Sequence, residues 1–376
     1  MSKRVPLAVL DLVPISTGSD ATTALSNSLD LARQAERSGY KRYWLAEHHL
    51  NPGLAGSAPL SFLGILAAAT DRIRVGTAAT LVGHYSPVQI AEAVGTVATL
   101  FDGRVDLGLG RTGGVSTSQP VLVGAVPTKP GIPPAQREAR TVGGLYLPAP
   151  VNVAPGRGRF GLLSRLIDRQ SEQPFAEAVR TILACLDGSY RDPDGELVPV
   201  LPARGSSTDV WIHGSSAGES ARVAGRLGLP FGANHHSTPS TVLDSVAEYR
   251  AHFVPGRLPR PHVIVSADVL VAETDSRANY LAEGFSQWVH SVRTGEGTIE
   301  YPSPEEALAD PLDPAALSLV QDRLDTRFVG SPDTVVAQLE TIQRVTAADE
   351  LLITTIAHDH EDRAHSYALL ADSWLR

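Results

Sequence analysis

Cysteine occurs once in the 376 residues, as Cys185, so the chain can close no internal disulfide and has no second thiol for a cysteine-based zinc site. Basic charge is also in deficit: 32 lysines and arginines stand against 41 carboxylates, a net charge of −9. With no basic stripe to neutralise phosphates, nucleic acid is excluded as an expected partner. The apolar opening, Val5 to Leu12, is broken by Asp11 and stopped by Pro14, too short for a signal segment or a membrane helix. No membrane partner and a cytoplasmic location are therefore expected. A Gly-x-x-x-x-Gly-Lys-Ser/Thr loop is missing as well, which argues against a nucleotide hydrolase.

What is present is 43% hydrophobic residues, enough for a large core. Short apolar runs alternate with stretches of helical period, the mark of βαβ units and a parallel sheet. Strands are expected at Val5–Leu10, Arg42–Ala46, Ile73–Thr77, Val105–Leu109, Val210–His213, Phe231–Ala233, Val263–Val271 and Glu350–Thr354. Between them the period predicts helices, such as Ala21–Ser38 ended by Gly39, Ala217–Leu227 and one near 277–292, with a polar, proline-rich stretch near 301–314. Eight strands in this order predict an α/β fold, a single (β/α)8 TIM barrel over residues 1–376. Segments leading from strand to helix, such as 47–57 and 81–86, are polar or glycine-rich, as a barrel with one functional face requires. Residues 112–173 break the pattern with crowded Gly and Pro. They form a long insertion after the fourth strand, either a substrate-covering lid or a disordered segment.

Glu47, His48 and His49 directly follow the second strand, where a barrel presents side chains to its mouth. Histidine titrates near neutrality and suits proton transfer, and a neighbouring carboxylate can set its tautomer; a plain polar patch is the alternative. His48, His49, His84, His235 and His236 raise the question of a metal. Adjacent histidines diverge along an extended chain and no His-x-x-x-His helix accompanies them, so no metal is expected. Arg111, after Leu107-Gly108-Leu109-Gly110, offers a guanidinium suited to phosphate, or is a surface arginine at a loop start. Ser215, Ser216, Ala217, Gly218 and Ser220 lie between a strand and a helix, where backbone N–H groups and hydroxyls favour an anion, or simply cap the helix. The Gly108 to Gly113 match to a dinucleotide motif lacks the following helix and is set aside.

Taken together, Ala46-Glu47-His48-His49, Arg74-Val75-Gly76-Thr77-Ala78-Ala79, Gly103 to Arg111, Ser215-Ser216 and Gly228-Leu229-Pro230 resemble the bacterial luciferase-like flavin monooxygenases, over nearly the whole chain outside 112–173. The resemblance implies a TIM barrel whose mouth binds reduced FMN, supplied by a separate flavin reductase. Reduced FMN and O2 would form a flavin C4a-hydroperoxide that oxygenates a small organic substrate, for which an aromatic or polyketide-like secondary metabolite is the expectation. By position, His48 matches the catalytic histidine, with Glu47 beside it. Ala78 and Ala79 match a pair carrying a non-prolyl cis peptide beside the flavin ring, and Arg111 with the 216–220 turn matches the phosphate site. A homodimer is implied too. A cysteine that precedes the arginine in the luciferase catalytic subunit is Gly110 here, which is expected to leave more room over the flavin and puts light emission in doubt. Two other readings stay open: a deazaflavin-dependent dehydrogenase on the same fold, and a noncatalytic flavin-binding protein.

Overall fold

A computed structural model of the chain describes residues 3–111, 138–151, 166–167 and 173–376. Its strands are β1 (Leu7–Asp11), β2 (Arg42–Leu45), β3 (Arg74–Leu81), β4 (Val105–Gly110), β5 (Arg140–Val142), β6 (Leu145–Leu147), β7 (Asp209–Gly214), β8 (Phe231–Ala233), β9 (Val263–Val271), β10 (Phe328–Gly330) and β11 (Glu350–Thr354). Strands β1, β2, β3, β4, β7, β8, β9 and β11 pair in parallel in that order, and β11 returns to β1, so the sheet closes into an eight-stranded barrel with helices between the strands. β10 pairs only with the far end of β9, at Phe328 against Val269. Because all eight barrel strands run the same way, their C-terminal ends share one mouth.

Side chains alternate along each strand. Leu7 and Val9 of β1 point outward into the core shared with the helices, whereas Ala8 and Leu10 point inward to Trp44, Trp211, Ile264 and Leu352. Both faces are buried, which is why the strands read as continuous apolar runs rather than alternating ones. The inside is plugged by Trp44 and Trp211, edge to face with ring centroids 5.0 Å apart.

Two residues towards the N-terminal end of β2, buried Arg42 donates to Asp106 at 2.8 Å and to Glu350 at 2.9 Å. Asp106 also accepts from Trp44 Nε1 at 2.8 Å and from Arg74 at 2.6 Å, and Glu350 from Lys41 at 2.7 Å. A charge in such a place is tolerable only when paired and hydrogen-bonded, and here each is.

Several elements differ from the sequence reading. β3 runs on to Leu81, through a cis Ala78–Ala79 peptide and a register shift against β4 between Thr77 and Thr80. The helix expected over 277–292 is two helices, Asp275–Leu281 and Phe285–Arg293, parted near Gly284. The proline-rich stretch coils into the short helices Pro304–Ala309 and Pro314–Ser318, each begun by a capping Ser303 or Asp313 with Pro in the first turn, and Gln321–Leu324 follows them. Of the insertion, 112–137, 152–165 and 168–172 lie outside the described residues, and with them the lid-or-disorder expectation. The described part holds the β5–β6 hairpin, which turns at Gly143 and Gly144 and leans on the outer helix Pro332–Thr346, whose Arg344 donates to the Gly143 carbonyl at 2.8 Å. Among the described residues no helix is long and apolar enough to cross a membrane.

Removing the cation of this buried network should be costly: Arg42→Met is expected to lower the unfolding free energy by about 3–5 kcal/mol, read from urea denaturation. Burial pushes the Glu350 carboxyl up, but His262, Arg42 and Lys41 together hold it well below the ordinary glutamate range. A depressed carboxyl contributes stability above its unfolded pKa and loses it as pH falls. Urea midpoints should therefore drop on acidification below about pH 5, and less steeply in Glu350→Gln; parallel slopes would show that Glu350 is not the titrating group.

Candidate active site

At the C-terminal end of β2 the chain leaves the barrel as Ala46-Glu47-His48-His49. Glu47 is buried, and its carboxylate is a hub rather than a free acid. Oε1 lies 2.8 Å from His49 Nε2, 3.4 Å from His84 Nδ1 and 3.2 Å from the Tyr85 hydroxyl, while Oε2 accepts the Leu81 N–H at 3.1 Å. Burial pushes this carboxyl up, but the bonds from His49, His84 and Leu81 outweigh it and hold it below the usual glutamate range. An ionised Glu47 accepts only, so the facing His49 and His84 nitrogens carry hydrogens.

Glu47 thus orients His49 and His84, not His48, whose tautomer the sequence reading had it set. One ligand atom each of Glu47, His49 and His84 lie within 4.8 Å of one another, a grouping of metal-ligand type that adjacency in sequence did not suggest. It is equally complete as a hydrogen-bonded network, with every facing polar atom partnered.

His48 is the unpartnered member. Its Nδ1 is buried with no hydrogen-bond partner among the described residues. Burial pushes the imidazole down to about 4, with the Glu47 charge opposing and His49 adding to the fall. Near neutral pH the ring is an uncharged base, and among the described residues no hydrogen bond to Nδ1 fixes which nitrogen carries its proton.

The opposite part of the mouth is built by β3, β4 and β7. The Ala78–Ala79 bond sits in β3, and Ala78 packs towards the Trp44–Trp211 plug. A side chain at Gly110 would put its Cβ 3.0 Å from the Ala79 Cβ, so this glycine lets β3 and β4 approach closely and does not leave an empty space as expected. Gly108 has a similar cause: a Cβ there would lie 2.9 Å from His213 Nε2, and one at Gly232 would lie 2.4 Å from His213 Nδ1. Gly108, the first glycine of the dinucleotide-like pattern, and Gly232 outside it therefore make room for an interior imidazole, which burial pushes down to about 4.

Arg111 follows β4 and pairs with Glu219 at 3.0 Å, both partly exposed. Since β4 pairs β7 directly, Arg111 stands beside the 215–220 turn. Helix Glu219–Arg226 starts there behind Gly218 with no side-chain cap, so its first N–H groups are free of side-chain acceptors. The Ser215 hydroxyl accepts from Asn234 at 3.1 Å, Ser216, Ala217 and Gly218 are half-buried, and Ser220 is buried behind Gly214. Gly214-Ser215-Ser216-Ala217-Gly218 also has the Gly-x-Ser-x-Gly spacing of a hydrolase elbow, a motif the chain was expected to lack. Among the described residues no hydrogen bond joins the Ser216 hydroxyl to a histidine, so a hydrolase nucleophile is unsupported.

A cavity of about 310 Å³ opens beside His48. Its walls include Glu47, His48, His49, Leu81 and His236, together with Leu12, Leu54, Trp288, Val289, Val292 and Ile356. Arg293, Asp268 and Arg323 line it too, and the sequence reading named none of them because they come from β9 and the segment 285–323, far along the chain from His48. Ala78, Ala79, Arg111 and the 215–220 turn do not line it. The mouth thus has two sides, an anion-seeking one over β4 and β7 and an enclosed, mainly apolar one over β1, β2, β9 and β11.

Residues 5–142 and 158–349 match the family model of luciferase-like monooxygenases. A luciferase-like monooxygenase of Escherichia coli strain K12 is 34% identical over 372 residues, covering 98% of this chain and 97% of that protein. Among solved structures, apo-MsnO8 superposes with a TM-score of 0.77 at 30% identity, over 99% of this chain and 98% of that one. The oxygenating constituent of 3,6-diketocamphane monooxygenase from Pseudomonas putida, a type II Baeyer–Villiger monooxygenase in complex with FMN, shares the fold with a TM-score of 0.62 at 17% identity, over 99% and 98% of the two chains.

The titration of His48 tests its enclosure directly. Its ring proton signals, identified by their loss in His48→Gln, should stay those of neutral imidazole from pH 8 down to about pH 5; a midpoint near the free-histidine value of about 6.5 would mean the ring is solvated.

Proposed function

Given that the chain belongs to the luciferase-like monooxygenase family, we propose that this flavin-dependent enzyme uses reduced FMN, bound across the barrel mouth, and O2 to place one oxygen atom on a small organic substrate beside His48. The observation that supports it best is the pairing of Arg111 with an uncapped helix start on the neighbouring strand, at the same mouth as an enclosed neutral histidine. Bound reduced FMN would supply the two electrons that activate O2, one oxygen atom going to the substrate and the other to water.

The residues fit that group. The Arg111 guanidinium and the N–H groups at the start of helix Glu219–Arg226 suit a phosphate, by charge and by hydrogen bonding. Glu219 occupies Arg111 in the absence of an anion, and the pair is exposed enough for a phosphate to compete at low cost. The Ala78–Ala79 edge of β3 lies between this turn and the His48 cavity in strand order, where a ring system joined to the phosphate would reach. The neutral His48 can take a proton from a reacting group and return it, and the apolar wall keeps water from the reacting atoms. Reduced flavin is proposed to come from a separate reductase, since the chain's dinucleotide-like glycine pattern at 108–113 is not followed by the helix such a motif needs in the sequence pattern. An aromatic or polyketide-like substrate accords with the apolar wall carrying Trp288, and a homodimer belongs to the same proposal.

Anaerobic titration with photoreduced FMN should show binding that Arg111→Ala weakens by about ten- to a hundred-fold, the loss of one charge-assisted phosphate contact. Unchanged affinity would overturn the phosphate assignment, and binding of a reduced deazaflavin in place of FMN would favour the dehydrogenase. Rapid mixing of the loaded protein with O2 should give an absorbance transient that free flavin lacks. His48→Ala is expected to keep flavin affinity and slow turnover by about 10²- to 10⁴-fold; a loss confined to affinity would move His48 out of the proton-transfer role.

A further inference from the structure

The wall of the cavity farthest along the chain carries more positive than negative charge. Three guanidinium groups, of Arg293, Arg323 and Arg327, meet two carboxylates, of Asp268 and Asp322. Arg293 and Asp322 satisfy one another through two contacts of 2.5 and 2.8 Å. Asp268 is left for two cations: it accepts from Arg327 Nε at 3.1 Å, and Arg323 approaches it only to 3.7 Å.

Arg323 makes no side-chain hydrogen bond among the described residues, although 12% of its side-chain surface remains accessible. It lines the cavity, and the Phe285 ring lies 5.6 Å from its guanidinium carbon. Arg327 Nη2, behind it, is buried and unpartnered. The other ionisable groups that line the cavity do not restore the balance. Burial pushes His235 down to about 3 and His236 far below the ordinary histidine range, so both are neutral near pH 7. Glu47 is committed to His49 and His84 at the end of β2, three strands away around the barrel. Burial pushes Arg323 itself down to about 10, which still leaves it protonated at neutral pH.

An enclosed guanidinium with one weakly shared counter-ion carries a desolvation cost that a further carboxylate would relieve, and Arg presents a planar fork suited to a carboxylate. We propose that the substrate of this cavity is an organic carboxylate, its acid group paired with Arg323 and its apolar skeleton laid along Leu12, Leu54, Trp288, Val292 and Ile356 towards His48. The assignment rests on the reading of this cavity as the oxygenation site and names the class of molecule it takes. It also sets the polarity of the bound substrate: the charged end lies at Arg323, and oxygen is delivered to the uncharged end.

Calorimetric titration with 2-naphthoate and its near-isosteric neutral amide, 2-naphthamide, tests the proposal without flavin or O2, so its result is independent of whether the protein oxygenates anything. The wild-type protein should bind 2-naphthoate at least ten-fold more tightly than the amide at pH 7.5. In Arg323→Gln the two should bind within about three-fold of one another, with the amide affinity retained, and Arg323→Lys should keep an intermediate preference. Equal affinities in the wild type would overturn the proposal whatever the variants do, as would an undiminished preference in Arg323→Gln. A positive preference together with failure of the oxygen-mixing experiment would instead retain the acid site and remove the monooxygenase reading.

Discussion

The mouth exists because the barrel below it is filled. Eight parallel strands can close only around side chains that occupy the axis, and here Trp44 and Trp211 do so above the Arg42–Asp106–Glu350 network. The ion pairs cannot be exchanged singly, since each carboxylate serves several donors and each lost partner leaves a buried charge. The tryptophans in turn require small residues opposite them: a Cβ at Gly76 would fall 2.8 Å from the Trp44 ring and 2.5 Å from the Asp106 carbonyl. The same logic one layer up places His213 between Gly108 and Gly232. Sequence features that look like ligand-binding glycines are thus explained by packing, and the functional groups are pushed to the one end of the barrel that the plug leaves open.

This filling also decides the electrostatics. Carboxylates at the mouth are spoken for: Glu47 by two imidazoles, a phenol and a backbone N–H, Asp268 by Arg327, Asp322 by Arg293. Imidazoles not so held, His48, His213 and His235, are driven neutral by burial alone or nearly so. The mouth therefore combines uncharged bases with two guanidiniums, Arg111 near solvent in a pair with Glu219 and Arg323 enclosed without a side-chain hydrogen bond among the described residues. In the proposed reading these guanidiniums would receive anions, with an uncharged imidazole between them as proton acceptor.

Much of the architecture was legible from the sequence, because a strand buried on both faces is an apolar run whatever its neighbours. All eight barrel strands were found that way, and so were Glu47, His48 and Arg111 as residues at strand ends. What failed has local physical causes. The helix break near Gly284 and the short helices after Ser303 and Asp313 are set by caps and prolines over a few residues, below the length at which a helical period registers. β10 is three residues long and earns its place only by pairing with β9. The extension of β3 past Thr77 is a register shift, which no periodicity encodes. For the site, Arg323, Asp268 and Trp288 were unreadable because their meaning lies in which strand end they meet, and that is a property of closure.

Closure further explains why the two halves of the mouth differ so sharply. On the β4–β7 side the partly exposed Arg111 stands beside a helix start that has no side-chain cap. On the β9–β11 side the excursion from Phe285 to Leu324 folds back across the barrel as short helices, laying Trp288, Val289 and Val292 over the opening. A wall made of helix faces excludes water, and a charge built into such a wall acts over a longer range than the same charge at the surface. One ligand can therefore be bound by a solvated phosphate contact while another is selected by an enclosed one. His48 belongs to this side, its ring on the cavity wall and its backbone tied by the His48 N–H to the Gly56 carbonyl at 2.9 Å. In the proposed reading the chemistry would lie where the dielectric is low, and the cofactor's phosphate where it is high.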